Sequence, residues 1–189
     1  MLIPGLINSK FMTYWAEMDL CRRAGAYWAL LHIAVCLPDI CSALQAPNGE
    51  TKGHLYIAWC NRHLSDPLLK GDERWAMRCK VLHQGRASTG GQGRYAGFSF
   101  GQPAPGGQVS HGPVDSGGTL SLDVGLLSDG VRHGVDHWIQ ELEANPNRAK
   151  ATNTERNLGS LVQVRQFTVP TPGPIMPGGP SFVIINKTS

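Results

Sequence analysis

Between Ala24 and Leu37 the chain runs Ala-Gly-Ala-Tyr-Trp-Ala-Leu-Leu-His-Ile-Ala-Val-Cys-Leu, and from Tyr27 onward apolar residues cover nearly every side of a helix. A helix that is apolar all round has to be surrounded. The run is about 14 residues, short of the roughly 20 that span a bilayer. His32 interrupts it and Pro38-Asp39 ends it, so it reads as the central helix of a bundle and no membrane association is expected. Just upstream, Tyr14, Trp15, Met18 and Cys21 share one side, Ser9 is a suitable cap, and Glu17 and Asp19 suit the early turns. Together these predict one long helix over residues 9–37. Pro38 then fits best as the first residue of a short new helix through Leu44, followed by a turn at Ala46-Pro47-Asn48-Gly49.

The same periodicity continues downstream. Leu55, Tyr56, Ala58, Trp59, Cys60 and Leu64 predict a helix over 52–64, stopped by Asp66-Pro67. Gly71-Asp72 starts another over 72–84, with Trp75, Met77, Val81 and Leu82 at helical spacing and Gly85 as its stop. Tyr95–Phe100 and Thr119–Val124 alternate, which predicts two paired strands in a hairpin about a long Gly/Pro loop that carries His111. Val131, Val135, Trp138, Ile139 and Leu142 predict a final helix over 128–144. A polar linker, Arg148 to Asn157, follows. After it come candidate strands at Leu161–Val169 and Ser181–Ile185, separated by a Pro-rich stretch. The expected architecture is therefore mainly α. A bundle domain spans 1–145 with a β-hairpin inserted at about 95–124, and a Pro/Gly-rich, β-rich C-terminal arm spans 146–189.

Bulk properties narrow the function classes. Residues 1–94 carry 11 Lys and Arg against 7 Asp and Glu, and residues 95–189 carry 6 against 7. Attraction to an acidic partner thus belongs to the first half and is modest. The five cysteines, Cys21, Cys36, Cys41, Cys60 and Cys79, include no C-x-x-C pair, and an odd count suits buried thiols in a reducing compartment better than a disulfide framework. Met1 to Gly5 lacks a basic region followed by a long apolar run, so no signal peptide is read and a cytoplasmic location is expected. The Gly-rich stretch from Gly85 to Gly93 lacks the Gly-Lys-Ser/Thr of a nucleotide-triphosphate loop.

The chemistry concentrates in Arg78-Cys79-Lys80-Val81-Leu82-His83-Gln84-Gly85. An Arg holds phosphate as a permanently charged fork, and a His titrates near neutral pH, which is a minimal kit for cutting RNA. On an ideal helix the two side chains point well over a quarter turn apart, so they converge only if the last turn loosens or another surface closes over them. The structural alternative is an Arg paired with a carboxylate and a His satisfied at a helix end. This stretch resembles the signature of HEPN domains (higher eukaryotes and prokaryotes nucleotide-binding), in which an Arg, four to six residues and a His stand at a helix end, often before a Gly. The layout of residues 9–143 is similar too, with the motif on a late helix of a bundle.

The resemblance implies a homodimer whose paired motifs cut RNA without a metal or bind RNA, in the manner of toxin or defence proteins, with Arg78 and His83 as the catalytic pair. It departs from the family at Cys79, where active members usually carry a polar residue, often Asn. The alternative implication is a non-catalytic dimerisation or interaction module that keeps only the bundle. No cofactor is expected on either.

Other candidates have plainer readings. His133 and His137 share a helix face at a spacing compatible with zinc, with Asp129 a turn earlier. No metalloprotease Glu accompanies them, so a solvated polar face and no stoichiometric metal are expected. Trp15, Trp28, Trp59, Trp75 and Trp138 read as core anchors, and Tyr95, Phe98 and Phe100, beside Arg86 and Arg94, suit single-strand binding or equally a cover for the bundle. Cys79 lies beside Arg78 and Lys80, and its apolar helix makes an inert thiol the better reading.

Overall fold

The computed structural model describes residues 5–84, 88–89, 93–102, 110–146 and 148–161, with backbone alone at 82–84. Among these the chain is mainly helical. It forms α1 (Leu6–Arg23), α2 (Tyr27–Gln45), α3 (Gly53–His63), α4 (Gly71–Gln84), β1 (Gly97–Gly101), β2 (Thr119–Asp123), α5 (Val124–Ala144) and α6 (Ala149–Asn157), then a short 3₁₀ turn at Leu158–Ser160. The expected strands at 161–169 and 181–185 fall outside the described residues apart from Leu161, and the arm's earlier residues up to there are helical rather than β-rich.

The apolar run is central, as expected, but it is not part of one helix over 9–37. Gly25 breaks it, with a φ of +69° that a residue with a Cβ adopts at a penalty. The Gly25 N–H donates to the Arg22 carbonyl at 3.1 Å and the Ala26 N–H to that of Cys21 at 2.8 Å, the paired bonds of a glycine helix stop. Nor does Pro38 start a new helix. It lies inside α2 and is buried. The proline has no N–H for the Ala34 carbonyl, a loss that costs about 3 kcal/mol in an exposed helix. Here Cys41, Ser42 and Leu44 are buried beyond it, and that packing carries the helix through. With 19 residues, α2 meets the length and composition of a membrane span; in this fold half of it is buried, packed against α1, α3, α4, α5 and α6.

The two strands pair, but in parallel and not as a hairpin, in the register Gly97↔Thr119 to Gly101↔Asp123. The connection between them exceeds the dozen residues that a parallel crossover needs. Each strand also has an antiparallel neighbour close in sequence, through the bridges Ser88↔Gly97 and Val114↔Leu120. The second is set by a tight turn, in which Asp115 Oδ1 accepts from the Gly117 and Thr119 N–H groups, both at 2.9 Å. Strand β2 then runs directly into α5, earlier than the expected start at 128. Asp123 is the last strand residue and also the cap, accepting from the Leu126 N–H at 2.8 Å.

The stretch read as a polar linker is α6. Its polarity is used on α2, whose last carbonyls would otherwise lack donors. Asn157 Nδ2 donates to the Leu44 and Ala46 carbonyls, both at 2.9 Å, and Asn153 Nδ2 to that of Gln45 at 3.0 Å. The helical body therefore continues through Ser160. Phe11, Trp15, Trp59 and Trp138 form its aromatic centre, joined edge to face at Phe11–Trp138 and Trp59–Trp138. Trp28 is no core anchor, since 56% of it is exposed.

Candidate functional site

Helix α4 is fixed at its start by buried charges. Gly71 sits so close to α3 that a Cβ there would lie 2.4 Å from the Ile57 carbonyl oxygen, and its N–H donates to Asn61 Oδ1 at 2.7 Å. Arg74, almost fully buried, donates to the Leu69 carbonyl and to Asp66. Buried Glu73 accepts from both forks of Arg94 and from the Lys70 N–H. Burial pushes the Glu73 carboxyl up, while Arg94 and the Lys70 N–H hold it below the usual range. Tyr95 donates its hydroxyl to the Leu68 carbonyl at 2.9 Å, and Phe98 is buried, so these aromatics do cover the bundle.

One turn on, Arg78 reaches across to α2. Its Nε donates to Asp39 Oδ2 at 3.1 Å, its Nη2 bonds the same oxygen, and its guanidinium lies 5.1 Å from the Trp75 ring centre. The two charged side chains are only 18% and 16% exposed. Burial works against the Arg78 charge, and the hydrogen bond and charge of Asp39 more than offset it, raising its pKa. The other carboxylate oxygen, Asp39 Oδ1, is buried and has no hydrogen-bond partner. His83 follows in the last turn of α4, and its side chain lies outside the described residues. The structure thus places the backbones of the two motif residues on one helix and gives Arg78 the carboxylate partner of the structural alternative, Asp39, whose identity the sequence did not show. Nothing in Pro38-Asp39 marks that role locally, because the pairing spans two helices.

A second cluster lies where α3 meets α5. His63, 7% exposed at the end of α3, has its Nδ1 3.2 Å from that of His137 on α5. Gly134 allows this approach. A Cβ there would lie 2.9 Å from the His63 carbonyl oxygen and 2.3 Å from Leu64 Cδ2. Burial pulls the His63 pKa down to about 4, with His137, Arg62 and Lys150 adding to the shift and Glu141 opposing it. The pair opens onto a cleft of about 600 Å³, also lined by His133, Asn61, Arg62, Asp66 and Arg74. The α5 histidines are therefore not simply a solvated face, since His137 is bonded to His63. Asp129, read as a third oxygen ligand, is held by Arg22 at 2.6 Å instead. His111 is a loop pin, its Nδ1 accepting from the Asp123 N–H at 3.1 Å. Cys79 is half-buried, and burial pushes the Cys60 thiol up to about 12.

No family model, curated protein or solved structure matches the chain.

Proposed function

We propose that the protein is a HEPN-like RNA-directed protein of the cytoplasm, acting as a homodimer, with its chemistry at the Arg78–His83 end of α4. The observation that supports it best is the half-used carboxylate of Asp39. One oxygen takes both contacts from Arg78, while the other is buried without a partner. A purely structural ion pair gains from satisfying both oxygens, and a buried acceptor left unpaired costs about 1–3 kcal/mol. Asp39 and Trp75 hold the guanidinium in one orientation, and a phosphate oxygen is the partner we propose it meets on binding RNA. His83 in its neutral form takes the 2′-hydroxyl proton, the 2′-oxygen attacks phosphorus, and the 5′-oxygen leaves, giving a 2′,3′-cyclic phosphate.

The test is cleavage of single-stranded RNA in EDTA. Wild type yields cyclic-phosphate ends, and His83→Ala and Arg78→Ala each lose about 10²-fold or more with the circular-dichroism spectrum unchanged. Cleavage that survives His83→Ala refutes the assignment. A second reading, a non-catalytic dimerisation module, is favoured by the Arg78 charge already being met by Asp39 and by the exposed Leu20, Trp28 and Leu126. It predicts a dimer in sedimentation, weakened by Trp28→Ala, and no RNase activity.

A further inference from the structure

His63, His133 and His137 all face the cleft between α3 and α5. The Nδ1 atoms of His63 and His137 stand 3.2 Å apart. Two imidazole nitrogens bound to one tetrahedral zinc, each at roughly 2.0–2.1 Å, are about 3.3 Å from one another. The contact is a hydrogen bond between the two rings, and a shared ion would replace it with little change in the separation of the nitrogens. His133 precedes His137 by four residues on α5 and shares its face, the spacing at which helical histidines chelate one ion. The nearby cations are paired, Arg62 with Glu141 and Arg74 with Asp66. Among the described residues no three of His, Cys, Asp and Glu stand together in ligating positions. The exposed His133 side chain is the one that has to turn, and a change of rotamer on a helix surface is a small demand.

We propose that His63, His133 and His137 form a binding site for a transition-metal dication of the zinc type, with the fourth position open to water. Imidazole ligands select this class over magnesium or calcium. The expectation of no stoichiometric metal rested on α5 alone, and the third imidazole comes from α3. The bound ion clamps α3 to α5, so it stabilises the fold by mass action. This site is independent of the Arg78 chemistry.

The experiment is titration of the chelator-treated full chain with zinc and, in parallel, cobalt(II). One equivalent of either binds, the cobalt form shows visible bands of tetrahedral nitrogen ligation, and the melting temperature rises. His133→Ala and His137→Ala, both at exposed positions, each weaken binding by about tenfold or more. Binding of less than one equivalent, binding unchanged in either variant, or thiolate charge-transfer bands in the cobalt form would each overturn the proposal.

Discussion

Gly130 and Gly134 lie one turn apart on α5, and both border the cleft. In a helix interior Ala is favoured over Gly by about 0.5–1 kcal/mol, so on propensity alone either substitution stabilises. At Gly130 a Cβ meets nothing within 4 Å, and the propensity gain stands. At Gly134 the new methyl lies 2.3 Å from Leu64 Cδ2 and 2.9 Å from the His63 carbonyl oxygen. The leucine tip can turn aside, but the carbonyl belongs to the backbone at the end of α3 and retreats only if α3 shifts. Overpacking of this kind costs about 1–3 kcal/mol. After the propensity gain, Gly134→Ala is destabilising by about 1–2 kcal/mol, which lowers Tm by roughly 2–8 °C for a chain of this size. Gly130→Ala raises Tm by about 1–4 °C. Urea unfolding followed by tryptophan fluorescence reads both, because Trp59 and Trp138 are buried beside this junction. If Gly134→Ala stabilises as much as Gly130→Ala, the close approach of α3 to α5 is refuted.

Two further outcomes follow from buried polar groups. Arg78→Ala leaves the Asp39 carboxylate largely buried without its cation and destabilises by about 2–3 kcal/mol, below the range for a fully buried pair because both side chains keep some exposure. The double variant with Asp39→Ala is less destabilised than the sum of the singles, and additive effects in a double-mutant cycle would show that the pair does not interact. For the thiols, Cys41 and Cys60 are buried and their pKa values are raised by that burial, Cys60 to about 12, so neither forms thiolate near pH 8. A thiol reagent at that pH labels no more than the three half-buried cysteines in the native state and all five after unfolding, and five labelled native thiols would contradict the core.

Much of the helical pattern is local and was legible in the sequence. Helices α3, α4 and α5 each show an apolar stripe that has to be buried, and the observed spans start or end within a few residues of that pattern. Alternation found both strands for the same reason. What the sequence could not decide was anything requiring a comparison between distant surfaces. Pro38 locally reads as a helix start, and only burial of the residues beyond it carries α2 through. Two alternating strands read locally as a hairpin, and only the tertiary structure pairs them in parallel, across a connection long enough for a crossover. The polar α6 has little apolar stripe to read, because its asparagines work by capping the carbonyls of α2. The two candidate sites divide in the same way. Arg78 and His83 are visible as a spacing on one helix. The pairings of Arg78 with Asp39 and of His63 with His137 exist only because α2 packs on α4 and Gly134 lets α3 close on α5, and side chains brought together across helices leave no periodic trace in the chain.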